Sequence, residues 1–186
     1  MSSQLRAYAD SFRQSQEHLH RIVDGLSHEP FNWKPGSKSW SIGECVVHLN
    51  TIAKGYVPAM REALTADAPR AGGPFSYGFV SRKFIEAVRP GSRPIPTAGA
   101  MNPSNKIGAS GVDKERAMAS FDRYTEAYLA LCRDAEGFDL AQIKIRSPFL
   151  KLMRLPLGAF LDAMGQHANR HVQQAESVTQ APGFPA

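Results

Sequence analysis

Apolar residues recur at helical spacing in four long segments of the chain, which begin near residues 4, 41, 113 and 157. In each segment the apolar side chains fall on one face of a helix, as expected when one face packs against a core. Four long amphipathic helices predict an all-α protein with a four-helix-bundle fold. The positions that define the four faces are Leu5, Tyr8, Phe12, Leu19 and Val23; Ile42, Val46, Leu49, Ala53 and Met60; Ala117, Phe121, Tyr124, Tyr128 and Leu131; and Leu157, Phe160, Leu161, Met164, Ala168 and Val172.

Local signals place the ends of these helices. Ser41 and Glu44 form a Ser-x-x-Glu capping box at the start of the second helix, where each side chain can satisfy a free backbone N–H. Pro58 is expected to kink or end that helix, because proline lacks the backbone donor. Gly137 is a plausible stop for the third helix, and the last helix is predicted over 157–179.

The connections differ in length and composition. The stretch 27–39 is predicted to be a short loop, so helices one and two are expected to be antiparallel neighbours. The insert 65–112 is long and rich in proline and glycine, with a short helix predicted over 77–88 and no regular structure over 89–111. A long loop in a small domain is usually functional or mobile.

The second long connection covers 138–156 and contains Ile143-Lys144-Ile145, a short run that favours an extended conformation. Together with the insert it permits a non-sequential order of the helices. No internal repeat is found, and a length of 186 residues fits a single domain over 1–186.

Composition narrows the class of protein. The chain is 42% hydrophobic and 21% charged, typical of a soluble globular protein. It has no apolar run long enough for a membrane span. Its N-terminus is polar and amphipathic, so a secretory signal is not expected there. The two cysteines, Cys45 and Cys132, fall within predicted helices and are expected to be buried thiols, as in a cytoplasmic protein. The net charge of +5 is spread along the chain and does not indicate nucleic-acid binding.

Three histidines are the candidates for chemistry. His167 and His171 are four residues apart and point the same way on a helix. At about 100° per residue, both lie beside the apolar face of the last helix, and His48 lies about 120° from the centre of the apolar face of the second. Imidazoles on two such flanks can meet at a rim between helices. Three of them would bind a metal ion and leave positions for water or substrate.

Other readings of the same residues stay open. The alternative is that the three histidines are partly exposed polar groups at helix edges, because a pair four residues apart is common by chance. His18 and His20 diverge on a helix, and His28 lies in a loop, so we expect all three to be exposed. Arg170 is expected on a solvated face, and the alternative is that it binds an anionic substrate.

The ordered motifs of the chain resemble the DinB/YfiT-like superfamily. They are Trp40-Ser41-Ile42-Gly43-Glu44 followed by His48-Leu49, then Leu155-Pro156-Leu157-Gly158 at the start of the last helix, and finally His167-x-x-x-His171-x-x-Gln174. The resemblance implies an up-down-down-up four-helix bundle with long crossovers. It also implies a divalent metal ion held by His48, His167 and His171. The insert 65–112 is longer than expected for a compact member and leaves the substrate open.

The resemblance implies two reaction classes, because an open metal position can activate water or a thiol. One is hydrolysis, and the other is S-transfer or isomerisation with a low-molecular-weight thiol. The ion would be zinc, nickel, iron or manganese, the substrate a small molecule, and the protein a homodimer. Glu44 and Gln174 are candidates for orienting the ligands, although capping is the stronger reading of Glu44. The alternative is a non-catalytic stress-related or regulatory bundle with a structural or vestigial metal.

Overall fold

Four long helices dominate the computed structural model, which describes residues 1–94, 96–97, 99–108, 111–150 and 152–185. They lie close to the predicted segments, because the apolar faces that define them are the surfaces the bundle buries. Two shorter helices lie in the connections. The helices are α1 Ser3–Val23, α2 His28–Asn32, α3 Ile42–Ala63, α4 Phe79–Val88, α5 Lys114–Asp134 and α6 Leu157–Thr179.

The predicted capping box at the start of α3 is confirmed. The Ser41 hydroxyl accepts from the Glu44 backbone N–H at 3.0 Å, and the Glu44 carboxylate accepts from the Ser41 N–H at 2.9 Å. Pro58 does not end α3, which continues to Ala63. Its exposed position keeps the ring on the solvent side of the helix, where water can satisfy the carbonyl that loses its partner.

The direction of each helix follows from two clusters of buried side chains. One cluster joins the end of α1, the starts of α3 and α5, and the end of α6. The other joins the start of α1, the ends of α3 and α5, and the start of α6. The bundle therefore has the up-down-down-up arrangement, as the resemblance implied.

The expected pairing of helices one and two is wrong. α1 packs against α5 and α6, and α3 packs against the same two helices, so α1 and α3 lie across the bundle diagonal. The chain between them includes α2, whose Pro30 and Phe31 are buried. This connection is therefore a packed crossover that spans the bundle end.

The insert 65–112 contains α4 and two 3-10 turns, Gly99–Met101 and Pro103–Asn105. α4 packs on α6. Just before α4, Tyr77 lies so close to Gly158 that a Cβ there would come within 1.9 Å of the tyrosine oxygen. Glycine at the start of α6 thus lets the insert approach the bundle.

The second connection forms a small hairpin, with β1 Lys144–Arg146 antiparallel to β2 Arg154–Pro156. Ile145 pairs with Leu155, and both side chains are buried against the bundle. Gly137, where a helix stop was predicted, has φ 78° just beyond α5. Cys45 and Cys132 are free and buried. None of the described helices combines the length and apolarity that a bilayer span requires.

Candidate metal centre

The three candidate histidines meet between α3 and α6. The Nε2 atom of His167 lies 3.3 Å from Nε2 of His48 and 3.1 Å from Nε2 of His171. One ring nitrogen from each residue falls within a group whose members are all within 4.8 Å of one another. Because α3 and α6 run antiparallel, the early part of α3 faces the late part of α6, and the flanks of the two helices converge.

Trp40, one residue before the Ser41 cap, packs against this cluster. Its ring centroid is 5.0 Å from that of His48 and 5.6 Å from that of His171, and it is nearly parallel to His171. The indole therefore covers one side of the imidazoles and limits their rotation. The sequence motif contained Trp40, but its spacing alone did not reveal this role.

Hydrogen bonds fix the orientation of two of the rings. Nδ1 of His48 lies 2.8 Å from the carbonyl oxygen of Met101, and Nδ1 of His171 lies 2.9 Å from Oε1 of Gln174. A carbonyl oxygen can only accept, so Nδ1 of His48 carries the proton and donates it, and the Gln174 amide oxygen takes the same role for His171. In both residues this leaves Nε2 with a free lone pair that faces the cluster.

The environment keeps the three imidazoles neutral at pH 7. Loss of hydration lowers the pKa of His48, holds the pKa of His167 well below its ordinary value, and lowers the pKa of His171 to about 3. The neighbouring imidazoles lower the pKa values of His167 and His171 further. Neutral imidazole is the form that binds metal ions.

The donor set fits a divalent transition metal. Two nitrogens bound to one ion at about 2.1 Å with a tetrahedral angle are about 3.4 Å apart, close to the observed separations. The described residues offer no fourth histidine, cysteine or carboxylate in this group. Structural zinc sites have four protein ligands, whereas three ligands leave a position open.

Among the described residues, no hydrogen bond or ion pair joins Glu44 to the three imidazoles. Besides capping α3, its carboxylate pairs with Lys34 at 3.0 Å and accepts from the Ser104 hydroxyl at 2.9 Å. Ser104 follows Met101 in the insert, so Glu44 ties the segment that holds the His48 acceptor to α3. Lys106 makes a similar link, donating to Thr51 at 3.1 Å.

The remaining histidines lie elsewhere. His18 contacts Glu176 at 3.0 Å and His20 contacts Asp122 at 2.7 Å, so the two side chains reach different helices, as their spacing predicted. His18 is only partly exposed, whereas His20 and His28 are exposed. His28 begins the short helix α2, where a loop was expected.

An apolar cavity of about 210 Å³ lies beside the cluster, and residues of the insert and of the hairpin turn line one side of it. Residues of the helix bundle line the other side. The sequence could not show which residues of the connections would cover the cavity. Its wall includes the three histidines together with Ile52, Tyr56, Phe84, Val88, Pro96, Thr97, Met101, Phe149, Leu150, Met164 and Arg170.

A second, more open cavity of about 490 Å³ adjoins the cluster on the side of His171 and Gln174. Lys38, Ser39, Trp40 and Ser177 contribute to its wall. Thr97, Arg170 and His171 border both cavities, so the two spaces adjoin at His171.

Arg170 is not on a solvated face as expected. Its guanidinium donates to the carbonyl oxygens of Ala87 at 2.9 Å and Arg93 at 3.2 Å, and to the Ser92 hydroxyl. These acceptors lie at the end of α4 and in the turn after it, so Arg170 fastens the insert to α6 between the two histidines.

The fold and the cluster thus define a helical bundle with a candidate three-histidine metal centre. A family model described as the DinB superfamily matches residues 11–175. The chain belongs to the DinB superfamily.

Among solved structures, the chain is similar to YfiT from Bacillus subtilis, which is described as a probable metal-dependent hydrolase with an unusual four-helix bundle topology. The match has a TM-score of 0.63 and 14% sequence identity, and covers 100% of this chain and 91% of that one. At this identity the likeness shows the fold. A comparison with curated protein sequences gives no significant match.

Proposed function

We propose that this protein is a metal-dependent enzyme that hydrolyses a small molecule at an ion held by His48, His167 and His171. The observation that carries the proposal is the convergence of three neutral imidazoles where two cavities meet. The description of YfiT as a probable metal-dependent hydrolase supports the same reading.

The protein contributes orientation and shelter to this chemistry. Met101 and Gln174 hold the outer nitrogens of two ligands, and Trp40 packs on their rings. Phe84, Val88 and Met101 of the insert line the apolar cavity beside the cluster. A bound divalent ion would supply Lewis-acid activation of water or of a substrate carbonyl.

The residues that line the two cavities limit which groups can take part in proton transfer. Among the described residues that line the two cavities there is no aspartate or glutamate. The walls therefore offer no carboxylate as a general base, so activation of water would rely on the ion that the three histidines bind.

Chromogenic esters test the proposal. Purified protein would be loaded with one equivalent of zinc, nickel, manganese or iron and assayed with the acetate and benzoate esters of 4-nitrophenol. We expect hydrolysis that requires the metal and is lost in His167→Ala. Hydrolysis at the same rate after chelation, or in His167→Ala, would contradict the proposal.

A second candidate is thiol-dependent S-transfer or isomerisation. The observation that favours it is the pair of cavities, since a polar thiol in the open cavity and an apolar molecule in the other would both lie beside His171. In this case turnover of an electrophile such as 1-chloro-2,4-dinitrobenzene requires both the metal and an added thiol. If the protein does not raise the rate above that of the uncatalysed reaction between the thiol and the electrophile, thiol-dependent transfer is excluded.

A further inference from the structure

The apolar cavity indicates the kind of substrate that the histidines receive. Its volume is about 210 Å³, and a cavity of about 150 Å³ is enough for benzene. Besides the three histidines, the wall includes apolar side chains such as Ile52, Phe84, Val88 and Met164. A phenyl ring or a short branched alkyl group therefore fits beside the candidate metal position.

Two polar side chains of this wall, Tyr56 and His48, already have hydrogen-bond partners. The Tyr56 hydroxyl is 2.7 Å from the Ser147 hydroxyl, and Nδ1 of His48 donates to the Met101 carbonyl. Arg170 is the charged side chain among the described residues of the wall, and its guanidinium donates to the Ala87 and Arg93 carbonyls. A charged substrate group placed among Ile52, Phe84 and Met164 would lose its hydration without gaining a polar partner from these side chains.

The Nε2 atoms of the histidines are the exception, because they face one another with no fourth protein ligand in the described residues. The polar, reacting part of a substrate therefore belongs at the cluster and its apolar part in the cavity. We infer that the substrate carries an uncharged apolar group of about the size of a phenyl ring, joined to the polar group on which the enzyme acts. This inference rests on the proposed metal-dependent function.

A series of hydroxamates tests the inference by binding alone, because the hydroxamate group chelates a divalent ion whatever its substituent. The probes are acetohydroxamate, benzohydroxamate and 4-carboxybenzohydroxamate, titrated calorimetrically into the zinc-loaded protein. Burial of the ring should make benzohydroxamate bind about 10- to 100-fold more tightly than acetohydroxamate. The added carboxylate should remove most of that gain.

Two tryptophan substitutions on α4 locate the effect. Val88→Trp should fill the cavity and reduce benzohydroxamate binding to the level of acetohydroxamate, while zinc content stays at the wild-type level. Val80→Trp is the matched control, because Val80 is 65% exposed on the same helix. This variant should bind all three probes like the wild type. Val88 is partly exposed at the last residue of α4, so the larger side chain can be accommodated during folding.

The outcomes separate the two proposals. Zinc uptake with equal affinity for acetohydroxamate and benzohydroxamate would overturn the substrate inference and leave the metal-dependent function standing. Tighter binding of 4-carboxybenzohydroxamate than of benzohydroxamate would also overturn it. Failure of the wild-type protein to take up zinc, nickel, manganese or iron would overturn the proposed function and this inference together. The ligand series on the wild type decides the question even if Val88→Trp does not fold.

Discussion

The seam between α1 and α5 and the seam between α3 and α6 are built differently. In the first, Phe12 and Tyr128 stack with their ring centroids 4.5 Å apart, and both side chains are buried. In the second, the corresponding space holds three imidazoles and borders two cavities. One seam is closed by its own side chains, whereas the other depends on residues from the insert and the hairpin turn.

The difference shows how one bundle can separate stability from function. The stacked rings of Phe12 and Tyr128 are held by close packing, and the buried Tyr128 hydroxyl has no hydrogen-bond partner among the described residues. Buried imidazoles need hydrogen-bond partners as well, and the α3–α6 seam obtains them from Met101 of the insert and Gln174 of α6. Substitutions in the two seams should therefore affect different properties.

The largest effect on folding is expected in the α1–α5 seam. Phe12→Ala removes a ring that is 2% exposed, so the free energy of unfolding should fall by about 3–5 kcal/mol. Urea denaturation of the metal-free protein measures this change, and the folded variant should still bind zinc. Phe79→Ala is the control, because Phe79 is 66% exposed and its loss should cost less than about 0.5 kcal/mol. Equal costs for the two variants would contradict the comparison.

The next effect is expected on metal affinity in the α3–α6 seam. His167→Ala removes the imidazole whose Nε2 lies 3.3 Å from that of His48 and 3.1 Å from that of His171. Zinc affinity should fall by more than about 100-fold, which exceeds the loss typical of residues that only hydrogen-bond to the ligands. Elemental analysis after dialysis and competition with a chromophoric chelator measure it. His18→Ala, on α1, should retain wild-type zinc content. Equal zinc content in His167→Ala and the wild type would exclude the site.

A smaller effect is expected from the partner of His171. Gln174→Leu removes the oxygen that accepts a hydrogen bond from Nδ1 of His171. Zinc affinity should fall by about 10-fold, the lower end of the range for loss of a residue that hydrogen-bonds to a metal ligand. Gln173→Leu is the matched control, since Gln173 is exposed on the next position of the same helix. If the two variants bind zinc equally, Gln174 does not orient the ligand.

The smallest effect is expected from metal removal on the fold. Because both core clusters are complete without the histidines, chelation should leave the far-UV circular dichroism of the protein at 25 °C unchanged. The melting temperature should fall only by the amount that ligand binding contributes. Unfolding on chelation would instead favour the alternative of a structural metal site.

The helices could be predicted from local patterns, but their neighbours could not. Ser41 with Glu44 and the apolar face beginning at Leu157 fix where α3 and α6 start, because capping and amphipathic burial are local. Whether α1 lies beside α3 depends on the path of the connection between them. Phe31 packs in the core and makes that connection a crossover, which its loop-like sequence did not indicate.

The candidate site divides in the same way. The sequence by itself determined that His48, His167 and His171 lie on helix flanks, because helical periodicity fixes the direction of each side chain. Only the tertiary structure decided that Met101 accepts from His48, that Trp40 packs on the imidazoles, and that Arg170 fastens the insert. These contacts join residues distant in sequence through segments without periodicity, so their geometry depends on the packing of the whole chain.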